Sequence, residues 1–167
     1  CYMVGLLASY FLKRHPGEII IHDPRVFWNT EKICRLYGGV PVESKGGHAF
    51  MKETMRRVHG IYGAENSAHH FFRDFSYWLI VTELMSETGR HLGEMVAEME
   101  KEFPVSGEIN LPAKNVEKTL AAVKAAYASK ALAVDPTDGV GLEFENWRFN
   151  LRPSNTEPLI RFNMETM

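Results

Sequence analysis

The segment Arg152-Pro153-Ser154-Asn155-Thr156-Glu157-Pro158 puts a guanidinium, two hydroxyls and a carboxamide within a few residues. A guanidinium presents paired N–H donors that match phosphate. Ser154, Asn155 and Thr156 add neutral donors, and a tight turn aims successive backbone N–H groups at one anion. The segment is therefore a candidate phosphate grip. The competing reading is a polar hairpin turn, because Pro, Ser and Asn are common turn residues.

A second set of polar residues lies upstream, in Asp23-Pro24-Arg25, Ser44-Lys45-Gly46-Gly47-His48 and Gly63-Ala64-Glu65-Asn66-Ser67-Ala68-His69-His70. Each follows a short apolar run. If those runs are neighbouring strands, one pocket collects Arg25, Lys45, His48, Glu65 and Ser67. His69-His70 invites a metal reading, but adjacent side chains on an extended chain point to opposite faces. No cysteine or carboxylate stands at zinc-site spacing beside them, so no metal is expected on this chain. A serine hydrolase lacks its Gly-x-Ser-x-Gly elbow, and a dinucleotide site lacks its glycine fingerprint.

The elements that must position these residues follow from hydrophobic periodicity. Val4, Leu6, Leu7, Tyr10, Phe11 and Leu12 recur at helical spacing up to Pro16-Gly17. Ile19-Ile20-Ile21 reads as a buried strand. Asn29 or Thr30 is the expected cap of the next helix, which Gly38-Gly39 closes before a strand at Val40 and Val42. This strand–helix–strand order predicts parallel pairing, with ligands beyond the carboxyl ends of the strands. A third helix is expected from about Phe50 to Val58, then a strand at Ile61-Tyr62, and two helices separated at Thr88-Gly89. After a linker at 104–107 come an Ala/Lys helix over 116–127 and strands at 131–134, 141–144, 147–151 and 159–163. The expected architecture is a three-layer α/β domain with a mainly parallel or mixed sheet over 1–104, then a smaller α+β domain with an antiparallel sheet over 105–167.

The bulk properties agree with a globular chain of this kind. It has 167 residues, 45% hydrophobic content and a net charge of −2. No basic field points to nucleic acid, and the longest apolar run, 2–12, is too short to span a bilayer. Cys1 and Cys34 form no disulfide framework, which suits a reducing, cytoplasmic setting. The abrupt ends at Cys1 and Met167 read as those of a fragment, or of the ordered part of a longer chain.

The polar segments, together with Phe71-Phe72-Arg73-Asp74 and Asp138-Gly139, occur in an order that resembles the α-D-phosphohexomutases, and within them the bacterial phosphomannomutases. The resemblance covers essentially the whole chain, which is similar to most of the third and fourth domains of that family. It implies that Glu65 and Ser67 bind sugar hydroxyls, and that Arg25 and His48 line the sugar side of a cleft. Lys45 would be a cleft-edge charge or general-acid candidate. Arg152, Ser154, Asn155 and Thr156 would grip the phosphate that is not being transferred. The partners implied are a mannose or glucose 1- or 6-phosphate and the missing N-terminal domains. The family's reactive serine and its Mg²⁺ loop belong to those domains, so this chain alone is expected to be inactive.

The chain departs from the family at three places. Ala64 stands where Gly is frequent and Asn66 where Met is usual. Between Tyr77 and Trp78 a short loop of the family is missing, which leaves the following helix without a cap. The reading that follows is an unrecorded loop rather than a deletion. Arg73-Asp74 is expected to form a structural ion pair that supports the loop, with a sugar contact as the alternative. The alternatives to an enzyme fragment are a stand-alone sugar-phosphate-binding module and a structural interaction domain.

Overall fold

In a computed structural model, residues 2–73, 77–154 and 157–167 are described, with Tyr77 and Trp78 described in their backbone only. The chain divides into two compact units, Cys1–Glu102 and Phe103–Met167.

The first unit is built on a sheet of order β2-β1-β3-β4. Its strands are β1 (Ile19–His22), β2 (Val40–Glu43), β3 (Tyr62–Ala64) and β4 (His70–Phe72). β1 pairs in parallel with both β2 and β3, and β4 runs antiparallel to β3, so the sheet is mixed. Its helices are α1 (Tyr2–Arg14), α2 (Phe27–Tyr37), α3 (His48–Val58), α4 (Tyr77–Thr88) and α5 (Leu92–Glu102).

The uninterrupted isoleucines of β1 are explained by burial on both faces. Ile20 joins Leu7, Phe11, Ile33 and Leu84 in the core under α1, α2 and α4. Ile21 packs on the opposite face with Met51 of α3 and Phe71 of β4, and Ile19 borders that cluster. Helices therefore cover both faces, giving three layers. Full burial of a side chain of this size contributes about 1.5–3 kcal/mol, so β1 anchors the unit.

Two local expectations are corrected. α2 begins at Phe27 after Val26, and no side chain caps it. Thr30 lies inside the helix and returns its Oγ1 hydroxyl to the Val26 carbonyl at 2.6 Å. Asn29 is also helical and buried, with Nδ2 3.7 Å from the Met99 sulfur. α3 starts at His48, ahead of the expected Phe50, so His48 is a first-turn residue and not part of a loop.

The second unit is a five-stranded antiparallel sheet of order β5-β9-β8-β7-β6. It comprises β5 (Ile109–Pro112), β6 (Ala133–Asp135), β7 (Val140–Glu143), β8 (Trp147–Pro153) and β9 (Leu159–Thr166), with α6 (Val116–Tyr127) between β5 and β6. Asn115 caps α6 by accepting the Lys118 N–H at 2.9 Å. Phe149 and Leu151 of β8 join Leu142 and Ile160 against Val116, Leu120 and Val123 of α6. The alternate residues Arg148, Asn150 and Arg152 are buried too, on the other face of the strand.

The acidic stretch from Asp135 to Asp138 is a turn. The Asp135 carboxylate accepts the Thr137 N–H at 2.8 Å. Gly139 follows with φ +87°, and a Cβ there would sit 2.2 Å from the Leu151 carbonyl oxygen, so only glycine fits. β5 has no counterpart among the expected strands. All of its residues are exposed and it sits at the sheet edge, paired among the described residues with β9 alone. Among the described residues, no helix is long and apolar enough to cross a membrane.

Candidate functional site

β1, β2 and β3 are parallel, so the segments after them leave the same edge of the sheet. These are the Asp23-Pro24-Arg25, 44–47 and 65–69 segments. The sheet order places β1 between β2 and β3, and α2 and α3 cover opposite faces. A crevice at such a point of divergence is where α/β sheets bind ligands.

Asp23 ties the first and third segments together. It is fully buried, and Arg25 is 5% exposed. One Asp23 oxygen accepts the Arg25 backbone N–H at 2.8 Å. The other accepts Arg25 Nε at 3.0 Å and the Asn66 N–H at 3.0 Å. The Arg25 guanidinium is thus held on Asp23 at the root of the site.

Glu65 is the centre of the arrangement. It is 3% exposed, yet both carboxylate oxygens are engaged. Oε1 accepts the Gly47 N–H in a very short contact. Gly47 has φ +126°, a conformation open to glycine, and this aims its N–H across to the third segment. Oε2 lies 3.1 Å from His69 Nδ1, which is also 3.0 Å from Ser67 Oγ. The His48 and His69 rings meet edge to face at 4.2 Å, and His48 also contacts Phe71 at 5.3 Å. A buried carboxylate, two imidazoles and a hydroxyl therefore converge at the carboxyl edge of the sheet. Together they can accept and donate hydrogen bonds to a polyhydroxylated ligand.

Lys45 follows β2 in the same segment as Gly47. It is exposed, with its ammonium 5.2 Å from the centre of the Phe50 ring. Arg73 pairs with Glu18 at 3.1 Å and donates to the His59 carbonyl at 3.0 Å. Its expected partner Asp74 lies outside the described residues.

His70 points away from His69, as adjacent residues on a strand do. Its Nδ1 lies 2.8 Å from the Tyr62 hydroxyl, and its ring stacks on Tyr62. Burial pushes its pKa down to about 4. The folded state therefore holds the neutral ring, whereas the unfolded chain takes up a proton near pH 6.5. Stability is full above about pH 6.5 and falls as the pH drops towards 4. We expect urea unfolding at pH 5 to show a loss on the order of 1 kcal/mol from this group, allowing for partial solvation of the ring. His70→Gln should flatten that pH dependence. An unchanged slope in the variant would assign the acid sensitivity to other groups.

In the second unit, Arg152 and Arg161 face each other directly across β8 and β9. Glu108 bridges them, with Oε2 3.5 Å from Arg152 and Oε1 3.2 Å from Arg161. Each arginine also keeps a buried Nε–H with no acceptor among the described residues. Ser154 closes the strand end by donating its N–H to the Leu159 carbonyl at 3.0 Å. Asn155 and Thr156 lie outside the described residues.

Sequence reasoning left Asp23 and His69 out of the site. Asp23 had a local signal, since an Asp that accepts the N–H two residues on is a common turn device. His69 enters the sequence reading only beside His70. The clue lies in the turn residues Asn66-Ser67-Ala68, which fold the chain back so that His69 returns to Glu65.

Comparison with known proteins bears on the family of the chain. Residues 2–103 match the family profile described as phosphoglucomutase/phosphomannomutase, alpha/beta/alpha domain III. Residues 108–166 match the profile of the phosphoglucomutase/phosphomannomutase C-terminal domain. A phosphomannomutase of Salmonella montevideo is 53% identical over 172 aligned positions, covering 99% of this chain and 38% of the relative. The alignment is longer than the chain, so the relative carries extra residues within the matched stretch. A protein of Xanthomonas campestris pv. campestris (strain B100), named as phosphohexose mutases, is 47% identical with the same coverage. The crystal structure of a phosphoglucomutase/phosphomannomutase family protein from Burkholderia thailandensis matches with a TM-score of 0.77 at 27% identity. That match covers 99% of this chain and 37% of the other. This chain thus spans a little over a third of the length of its relatives. Two successive domain profiles, and half or more of the residues shared with a curated mutase along the whole chain, establish that it belongs to the phosphoglucomutase/phosphomannomutase family.

Proposed function

We propose that this chain is the sugar- and phosphate-binding half of a phosphomannomutase that interconverts mannose 6-phosphate and mannose 1-phosphate. The observation that carries this reading is the Glu65 carboxylate, buried yet placed among His48, Ser67 and His69 at the carboxyl edge of the sheet. A carboxylate accepts two neighbouring sugar hydroxyls whichever end of the sugar is presented. This suits a mutase, whose substrate must bind in two orientations.

In this role Arg25 and His48 line the sugar side, and Lys45 supplies a mobile charge at its edge. Arg152, Ser154, Asn155 and Thr156 hold the phosphate that is not transferred, fixing one end while the other reacts. The phosphoryl group would come from a phosphoserine on the domains that precede this chain in its relatives. The resulting bisphosphorylated sugar would turn over and return its other phosphoryl group. Magnesium, when bound beside that serine, offsets developing charge. We place it outside this chain, because the Asp135 carboxylate of the acidic turn accepts the Thr137 N–H and faces the Arg148 guanidinium at 3.9 Å. On this reading the chain alone binds substrate without turning it over.

The test is a titration of the chain with mannose 6-phosphate, followed by residue-resolved NMR into the millimolar range, because half a cleft binds weakly. Shifts confined to residues 23–25, 44–48, 63–70 and 152–158 are the expected result. Shifts centred elsewhere would overturn the assignment. A parallel titration with glucose 6-phosphate reports sugar preference.

A further inference from the structure

His48, Glu65 and His69 each offer a ligand atom, and these atoms all lie within 4.8 Å of one another. We propose that these three residues form a binding site for zinc, or for a transition-metal ion of similar preference. Two imidazoles and one carboxylate are a recurrent zinc ligand set that leaves one coordination position open. Magnesium and calcium favour all-oxygen sets, so the two ring nitrogens select against them. The site is therefore distinct in chemistry from the magnesium placed elsewhere under the proposed function.

The geometry is close to what the ion requires. Ligand atoms around tetrahedral zinc stand about 3.3 Å apart, given bonds of about 2.0–2.1 Å. His69 Nδ1 and Glu65 Oε2 are already 3.1 Å apart. The remaining closure is about 1.5 Å at most, and it falls chiefly on His48, whose side chain is exposed. Glu65 contributes the rigid part. It is buried, and its other oxygen is fixed by the Gly47 N–H, an outer-shell contact of the kind that orients metal ligands.

The metal would take the place of the hydrogen bond between His69 Nδ1 and Glu65 Oε2. Its open position would face solvent or a ligand hydroxyl, with Ser67 Oγ nearby. If the sugar site is as proposed, zinc and sugar exclude one another there. That consequence rests on the proposed function, whereas metal binding itself does not.

The experiment uses the 167-residue chain with metal alone and no sugar. Cobalt(II) is titrated and its visible d–d bands recorded, then zinc is added in competition. The expected result is one ion per chain, with the intense bands of four- or five-coordinate cobalt, displaced by zinc. His48→Ala and His69→Ala should each weaken zinc binding by about tenfold or more, since even outer-shell losses reach that size. Both residues are exposed, so circular dichroism should report an unchanged fold, and Glu65→Gln gives a third reading of the same site. His91→Ala, at an exposed histidine of the first unit, should bind as the parent does. Equal zinc affinity in the His48 and His69 variants would show adventitious surface coordination and overturn the proposal. So would the absence of cobalt bands.

Discussion

Arg152→Ala, made in a protein of the relatives' full length that carries this segment, is expected to raise KM for mannose 6-phosphate by about tenfold to a hundredfold. The estimate follows from the loss of hydrogen bonds between a charged donor and an anion, worth about 1.5–3 kcal/mol. The fold should be little affected, because Glu108 keeps Arg161 at 3.2 Å, the closer of its two arginines. Arg152→Lys should rescue only part of the loss, since an ammonium replaces the planar fork with a point charge. Steady-state kinetics, read beside thermal unfolding of each variant, make the measurement. Unchanged KM and kcat in the alanine variant would sink the phosphate role of this strand end.

The second large effect is on stability. Asp23→Ala should cost about 3–5 kcal/mol, the usual consequence of removing one member of a buried ion pair. Its carboxylate serves the Arg25 backbone, the Arg25 guanidinium and the Asn66 N–H at once. Total stabilities are about 5–15 kcal/mol, so this single change takes a large share. Urea unfolding followed by circular dichroism checks it. Adding Arg25→Met to Asp23→Ala should recover part of the loss, because the stranded charge is then gone. A loss under about 1 kcal/mol in the single variant would mean that the tie between the two segments contributes little.

Much of the fold was legible because its signals are local. Three consecutive isoleucines can be satisfied only by a strand covered on both sides, and β1 is such a strand. The Ala/Lys helix expected over 116–127 is α6. The turns at Asp135 and Gly139 follow from residues that form those turns in any context.

The elements that were missed depend on distant partners. β5 is an exposed edge strand ending in proline, and its register comes from Arg161 and Ile160 of β9. β4 looked like the tail of a polar loop, because His70 and Phe72 are only half-buried and its pairing is supplied by β3. The expected cap at Asn29 or Thr30 failed because tertiary burial draws both residues inside α2, where Thr30 bonds the preceding turn. Within the candidate site, residue types and their order pointed to Glu65, Ser67 and His48. The connections that hold them, from Asp23 and from the Gly47 N–H, run between segments far apart in sequence.

The carboxylate of Glu108 gives the paired arginines an internal counter-ion. In the proposed role, an arriving phosphate does not meet a bare double-positive seat. It exchanges with an anion already there, and Glu108 can reclaim Arg152 as the phosphate departs. Capture is then an ion-exchange reaction, tighter than water but never sticky. Its affinity should depend less steeply on ionic strength than capture by two unscreened guanidiniums would. Such a seat favours quick turnover of occupants, which suits a ligand that must let go, reverse and bind again.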